Sequence, residues 1–106
     1  WPRGGAPADA FTPVTSGVPA LILSGGLDPV TPPANGDTVA RTLANHRHVG
    51  APGYGHIVSP HACAPRLLAA FVADAGFDKL PGDCVRQLEA STPPALWIGL
   101  LGPGAP

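Results

Sequence analysis

A short, uninterrupted apolar run near the front of the chain predicts a strand that is buried on both faces. The run reads Pro-Ala-Leu-Ile-Leu at residues 19–23, and Ser-Gly-Gly follows it. An interior strand of a parallel sheet is apolar at successive positions, whereas a half-exposed strand alternates apolar and polar residues. Parallel strands also need a long crossover connection, which is usually a helix. We therefore expect strands and helices to alternate.

The residues after the first strand predict such a helix. Thr31 offers a hydroxyl as an N-cap, and the two prolines after it suit the first turn, where an N–H has no intrahelical partner. We expect this helix to continue to about Ala44. Its apolar positions repeat at the spacing of a helix that lies on a sheet. They are Val39, Ala40, Leu43 and Ala44.

A second strand and a second helix complete the pattern. Residues 46–51 are a weaker strand candidate, because Gly50 interrupts them. Ala64 and the proline after it open a helix, and Gly76 is a natural stop for it. The apolar face of this helix consists of Leu67, Leu68, Phe71 and Val72.

Together these elements predict an α/β fold in which strand, helix, strand and helix build a parallel sheet. The chain has 106 residues, which is enough for one small domain and roughly half of a complete doubly wound sheet with its helices. We expect the fold to be incomplete on its own, because the start at Trp1 resembles an interior cut in a longer protein. The expected organisation is an irregular lead-in, an α/β segment and an unassigned tail, at residues 1–17, 18–89 and 90–106.

Composition argues against two classes of partner. The chain has 6 basic and 7 acidic residues and no basic run, so no positive patch is expected for nucleic acid or an anionic membrane surface. The longest apolar stretches, at residues 18–23 and 95–101, are far shorter than the roughly 18 residues that a membrane-spanning helix requires. The 14 glycines and 15 prolines predict short elements and long loops.

Two ionisable residues follow the two predicted strands. Asp28 lies in the loop after the first strand, and His56 lies in the loop after the second. In open α/β sheets the loops at the carboxyl ends of strands meet at one edge and carry the active site. Taken singly, each residue also has a plainer interpretation. Asp28 could bond its own backbone in a turn, and His56 could be a loop histidine bonded to a carbonyl group.

The sequences of the two loops are more specific. GGLDPVTPP at residues 25–33, together with PGYGH at residues 52–56, resembles the C-terminal region of tripeptidyl-aminopeptidase-like α/β-hydrolases, which are relatives of proline iminopeptidase. The likeness covers roughly Trp1 to Cys84. It implies the C-terminal part of an α/β-hydrolase fold and the activity of a serine exopeptidase or related amidase, with a peptide or small amide or ester as substrate and no cofactor.

In that family the position of Asp28 holds the acid of a catalytic triad, and the position of His56 holds the general base. The carboxylate fixes the imidazole tautomer, while Nε2 takes the proton of a serine hydroxyl and later gives it to the leaving amine. We expect small residues and a proline to shape the two loops. These residues are Gly25, Gly26, Pro29, Gly53 and Gly55.

The chain does not contain the nucleophile of such a triad. A nucleophilic serine of this fold stands in a Gly-x-Ser-x-Gly turn, and the backbone beside it forms part of the oxyanion hole. None of the serines here has those flanking glycines; they are Ser16, Ser24, Ser59 and Ser91. We expect the isolated chain to be inactive and the serine to lie upstream, in an N-terminal remainder of the hydrolase.

Two cysteines, Cys63 and Cys84, are present. The resemblance implies an exported protein, located outside the cell or in the cell envelope, where a disulfide between them would persist. Unpaired thiols, or partners elsewhere in a longer protein, stay open as alternatives because pairing cannot be deduced from sequence.

Three other interpretations of the chain deserve weight. His46 and His48 share a strand face, with His61 and Cys63 downstream, but no pair has the spacing of a zinc motif, so no metal site is expected. A hydrolase with an aspartate nucleophile is disfavoured, because Asp28 lies in the loop of the triad acid and not in the turn, or elbow, that carries the nucleophile. The third is a non-catalytic unit that needs an N-terminal partner chain, since its first strand would leave an unpaired apolar edge.

Overall fold

The structure, a computed structural model, describes residues 4–93 and alternates strands and helices in the predicted order. Two strands pair in parallel, which confirms the α/β class. No helix among the described residues is long and apolar enough to cross a bilayer. The elements are β1 (Ala20–Gly25), α1 (Pro33–Ala40), β2 (His46–Ala51), α2 (Ala64–Asp74) and α3 (Gly82–Glu89).

The register of the two strands assigns the faces of the sheet to different helices. Leu23 lies beside Val49, and Ile22 lies beside His48. Because side chains alternate along a strand, the first pair shares one face and the second pair shares the other. Helices α2 and α3 cover the face of Leu23 and Val49. Helix α1 contacts both strands and lies over the ring of His48 on the opposite face.

The hydrophobic core lies between the sheet and helices α2 and α3. Strand β1 reaches this core only in part, because Ala20–Leu23 are half-buried while Ser24 and Gly25 are buried. The predicted burial of β1 on both faces is therefore wrong for most of its length, since β1 has a neighbouring strand on one side only within residues 4–93. The buried apolar residues are Val49, Ala51, Val58, Ala64, Leu67, Cys84, Val85 and Leu88.

Helix α1 does not begin as predicted. Its first residue is Pro33, and the residue in the N-cap position is Pro32, which offers no side-chain hydrogen bond. Thr31 was the predicted cap. Its hydroxyl instead donates to the carboxylate of Asp28, 2.6 Å away. The hydroxyl of Thr31 therefore bonds to a side chain three residues upstream and does not cap the helix.

Helix α1 also ends earlier than predicted, at Ala40 instead of Ala44. The chain turns there because the backbone beyond the helix bonds to the lead-in. The N–H of Ser16 donates to the carbonyl of Thr42, and the N–H of Ala44 donates to the carbonyl of Ser16. The predicted apolar stripe is consequently incomplete, and Val39 is exposed.

Helix α2 spans Ala64–Asp74 and follows the prediction closely. On its predicted apolar face Leu67 is fully buried, whereas Val72 is exposed, so that part of the prediction is wrong. The helix ends in a left-handed residue, Ala75, which precedes the expected stop at Gly76.

Helix α3, at the end of the predicted α/β segment, is an element that the sequence analysis did not predict. Cys84, Val85 and Leu88 are buried at the spacing of one helical face. Residues 4–17 form neither a helix nor a strand, apart from one bridge at Ser16. The division of the chain into three stretches stays a prediction, and the apolar stretch at residues 95–101 lies outside the described residues.

The two cysteines form the expected disulfide. The sulfur atoms of Cys63 and Cys84 are 2.07 Å apart, and 21 positions separate the two residues in the chain. Cys63 immediately precedes α2, and Cys84 lies in the first turn of α3. The bond therefore holds the second and third helices together beside the core.

Truncation of the core side chain of Leu67, in the first half of α2, should destabilise the fold strongly. We expect Leu67→Ala to lower the free energy of unfolding by about 2–5 kcal/mol, because the side chain is fully buried and its loss leaves a cavity. Val72→Ala is the control on the same helix, with an expected change within about 0.5 kcal/mol because Val72 is exposed. Urea unfolding followed by circular dichroism measures both, and equal effects would contradict this core assignment.

Reduction of the disulfide should also destabilise the chain. Opening a loop closed over a separation of 21 residues lowers the free energy of unfolding by about 3 kcal/mol in the chain-entropy description. Urea unfolding with and without reductant gives the difference. Alkylation of the unfolded chain, followed by mass measurement, should label two thiols only after reduction, and labelling without reductant would contradict the pairing.

Candidate active site

The loops after β1 and β2 meet at the carboxyl edge of the sheet. The N–H of Gly26 donates to the carbonyl of Ala51 at 3.0 Å, and the N–H of Leu27 donates to the carbonyl of Tyr54 at 2.9 Å. These backbone bonds join the loop that carries Asp28 directly to the loop that carries His56. These backbone hydrogen bonds therefore fix the position of the Asp28 side chain relative to that of His56.

Close contact between these loops requires a residue without a side chain at the end of β1. A Cβ atom added to Gly25 would lie 2.0 Å from the carbonyl oxygen of Gly55. Added Cβ atoms at Gly26 and Gly53 would also meet backbone atoms, at 2.7 Å and 2.4 Å. At Gly55 itself the same atom would meet nothing within 4 Å, so packing does not explain the glycine there.

The carboxylate of Asp28 is buried, with 5% of its side chain exposed, and both of its oxygens accept hydrogen bonds. Oδ1 accepts from the backbone N–H groups of Val30 at 2.8 Å and Thr31 at 3.0 Å. Oδ2 accepts from the Thr31 hydroxyl at 2.6 Å and lies 2.9 Å from Nδ1 of His56. A buried carboxylate with four donors around it is held in one orientation.

These donors also keep the carboxyl group ionised. The hydroxyl of Thr31, followed by its backbone N–H, holds the pKa of Asp28 well below its usual range. Burial acts in the opposite direction, while His56 and the N–H of Val30 lower the pKa further. Hydrogen bonding to the charged form therefore outweighs desolvation.

The charge on Asp28 determines the tautomer of His56. A carboxylate can only accept, so Nδ1 of His56 carries the proton that lies between them. The other nitrogen, Nε2, is then the basic one in the neutral ring. Within residues 4–93 it has no hydrogen-bond partner, and 49% of the His56 side chain is exposed. The ring can accept a proton from a group that approaches from outside.

Backbone strain lies next to this histidine. Ile57 has a φ angle of 65°, in the left-handed region that a β-branched residue rarely enters. Such a conformation costs on the order of 1–3 kcal/mol and persists only where surrounding contacts impose it. The buried Val58 that follows provides one such contact, because it belongs to the core.

A cavity of about 340 Å³ opens beside the pair. Its polar lining includes Ser24, Asp28, Thr31 and His56, while Ile57 contributes to its apolar lining. The hydroxyl of no serine in the chain bonds to His56, although all four serines lie within the described residues. The arrangement places a buried carboxylate and a half-exposed imidazole beside an open space.

Thr31 is the site residue that sequence reasoning missed. Its position suggested a helix cap, and only the fold of the loop shows its hydroxyl between Asp28 and His56, 3.3 Å from Nδ1. The three-residue spacing from Asp28 to Thr31 was the available signal, because an aspartate side chain readily bonds the backbone two or three residues on.

The side chains that were considered as metal ligands each contact a different group instead of one another. Cys63 is bonded to Cys84, so it offers no thiolate. His61 stacks on Tyr54, and Nδ1 of His46 lies 2.6 Å from the carbonyl of Leu43. No group of three metal-binding side chains occurs in the part of the chain that the structure describes.

A parallel strand–helix–strand unit that ends in a carboxylate and an imidazole at one edge has the form of the C-terminal part of an α/β-hydrolase. The family model described as TAP-like protein, an α/β-hydrolase family, matches residues 1–84. The chain therefore belongs to this family, which confirms the resemblance carried by its loops. No curated protein and no solved structure gives a significant match.

The lowered pKa of Asp28 predicts how its contribution to stability depends on pH. Because the folded state holds the proton less tightly than the unfolded state, the stabilisation is complete above about pH 4 and is lost as the pH falls through lower values. We expect the difference in unfolding free energy between the wild type and Asp28→Asn to shrink steadily below that pH. Urea unfolding between pH 7 and pH 2 measures it.

A pair of threonine variants tests the cause. Thr31→Val should weaken the pH dependence, because it removes the strongest donor to the carboxylate. Within residues 4–93 the hydroxyl of Thr38 bonds only to the carbonyl of Ala34, so Thr38→Val should leave the pH dependence as in the wild type. A Thr31→Val variant with an unchanged acid profile would contradict this assignment.

Proposed function

We propose that this chain is the C-terminal part of a serine hydrolase in which Asp28 and His56 are the acid and base of a Ser-Asp-His triad. One observation carries the proposal: Nδ1 of His56 lies 2.9 Å from a buried carboxylate, and the opposite nitrogen has no partner within residues 4–93. A histidine that only filled a loop would not need an ionised, buried acceptor behind it.

The chemistry follows from these positions. Asp28 keeps the proton on Nδ1 and stabilises the imidazolium that forms when Nε2 takes the proton of a serine hydroxyl. The serine oxygen bonds to the carbonyl carbon of the substrate, and the proton passes from Nε2 to the leaving amine as the C–N bond breaks. A water molecule, deprotonated by Nε2, then attacks the acyl-serine ester, and the proton returns to the serine oxygen as the acid leaves. The serine and the oxyanion hole belong to an N-terminal remainder of the hydrolase.

The substrate class rests on the family resemblance. The two loops resemble those of tripeptidyl-aminopeptidase-like hydrolases, so we propose a peptide substrate from which single residues or short N-terminal peptides are released, or a small amide or ester. The disulfide between Cys63 and Cys84 favours an oxidising location, and we propose that the hydrolase acts outside the cell or in the cell envelope.

A second function is supported by the free edge of β1. That strand is half-buried and has a neighbour on one side only in the described part of the chain, and Val18 before it is exposed. A chain with these properties could serve as a non-catalytic unit that completes its fold on a partner polypeptide. A co-purifying polypeptide with a Gly-x-Ser-x-Gly elbow would favour the hydrolase, and its absence would favour the structural unit.

Activity measurements on two preparations test the proposed hydrolase. The purified chain should not cleave aminoacyl or peptidyl anilides, because it has no elbow serine, whereas the same chain together with its N-terminal remainder should cleave them. In the complete hydrolase, Asp28→Asn and His56→Ala should each lower kcat by about 10⁴-fold or more.

The matched control is Asp83→Asn, which makes the same chemical change in an exposed ion pair with Arg66 and should leave kcat within about twofold. Turnover by the chain alone, or full activity of His56→Ala in the complete hydrolase, would contradict the proposal.

A further inference from the structure

A second histidine joins three elements on the α1 face of the sheet. Nδ1 of His48 in β2 lies 2.9 Å from Oδ1 of Asp37 in α1, and Nε2 lies 2.8 Å from the hydroxyl of Ser24 in β1. The carboxylate accepts from Nδ1–H, and in the neutral ring the other nitrogen, Nε2, accepts from the serine hydroxyl. The result is a continuous hydrogen-bonded chain from helix to strand to strand.

Helix α1 lies directly on this chain. A Cβ atom added to Gly36 would be 2.7 Å from Nε2 of His48 and 2.8 Å from Oγ of Ser24. A glycine inside a helix costs about 1 kcal/mol relative to alanine. Here it allows the helix backbone to approach the imidazole and the hydroxyl more closely than any side chain would permit.

The three residues have the composition of a hydrolytic triad but the opposite exposure. Ser24 is 8% exposed and covered by Gly36, while 65% of the Asp37 side chain is exposed. A hydrolytic triad buries its carboxylate and presents its hydroxyl to substrate. The chain of bonds is therefore arranged to fasten elements together and not to deliver a nucleophile.

We propose that Asp37, His48 and Ser24 are positioning residues that hold the acid loop, residues 26–32, against His56. Ser24 lies four positions before Asp28, and α1 starts at Pro33, immediately after the loop. The hydrogen-bonded chain therefore ties both ends of this loop to β2, the strand that leads to His56. Only the consequence for catalysis rests on the proposed function, because the positioning effect is a property of the fold.

Nuclear magnetic resonance of the chain itself tests the inference. The proton on Nδ1 of His56 is bonded to Asp28, and its exchange with water reports how often that bond opens. Ser24→Ala and Asp37→Ala should each accelerate this exchange by about two- to tenfold, the factor expected for one lost hydrogen bond. Asp37→Asn keeps an acceptor oxygen and should restore most of the wild-type rate.

The matched control is Asp83→Ala. Its carboxylate is nearly as exposed, at 64%, and bonds to one side chain, that of Arg66, but it lies on the opposite side of the sheet. It should leave the exchange rate unchanged. Wild-type exchange in Ser24→Ala and Asp37→Ala, with amide spectra showing an intact fold, would overturn the inference. So would an equal acceleration in Asp83→Ala, which would indicate general loosening.

The same variants in the complete hydrolase separate this inference from the proposed function. Faster exchange together with a lower kcat at constant KM supports both. Faster exchange without any change in kcat supports the positioning role and counts against a catalytic role for Asp28 and His56.

Discussion

Parallel pairing of β1 with β2 is the interaction on which the rest of the structure depends. It places the ends of both strands at one edge, because parallel strands run in the same direction. The bonds from Gly26 and Leu27 continue this pairing into the loops. A carboxylate and an imidazole 28 positions apart in the chain thereby come within hydrogen-bond distance. An antiparallel arrangement would have put them at opposite edges.

Hydrogen bonds stabilise the charge on Asp28 at the centre of the candidate site. Within residues 4–93 no lysine or arginine pairs with the buried Asp28, and Thr31 supplies two of the donors that offset its desolvation. This arrangement suits the proposed triad acid, because the hydrogen bonds from Thr31 and Val30 keep the carboxylate ionised. Its bond to His56 can then orient the ring and stabilise the positive charge that develops on it. A fixed cation in the same place would compete for that role.

The two faces of the sheet are stabilised in different ways. One face carries the apolar core and the disulfide, while the other carries the polar chain through His48 under helix α1, in which Ala40 is the one buried residue. Apolar contacts tolerate small shifts of a helix, whereas hydrogen bonds to a ring lose strength within a few tenths of an ångström. The face that borders the candidate site is therefore the one with directional contacts.

The sequence by itself determined the element types, the parallel crossover, and the placement of Asp28 and His56 in matching loops, because these depend on local patterns of apolar residues, prolines and glycines. It did not predict the partner of Thr31, the early end of α1 or the helix α3. Those depended on tertiary contacts. The hydroxyl of Thr31 bonds to the carboxylate of Asp28 instead of capping the helix, and the backbone after α1 bonds to Ser16 of the lead-in instead of continuing the helix. Which donor meets which acceptor was decided only when distant segments came together.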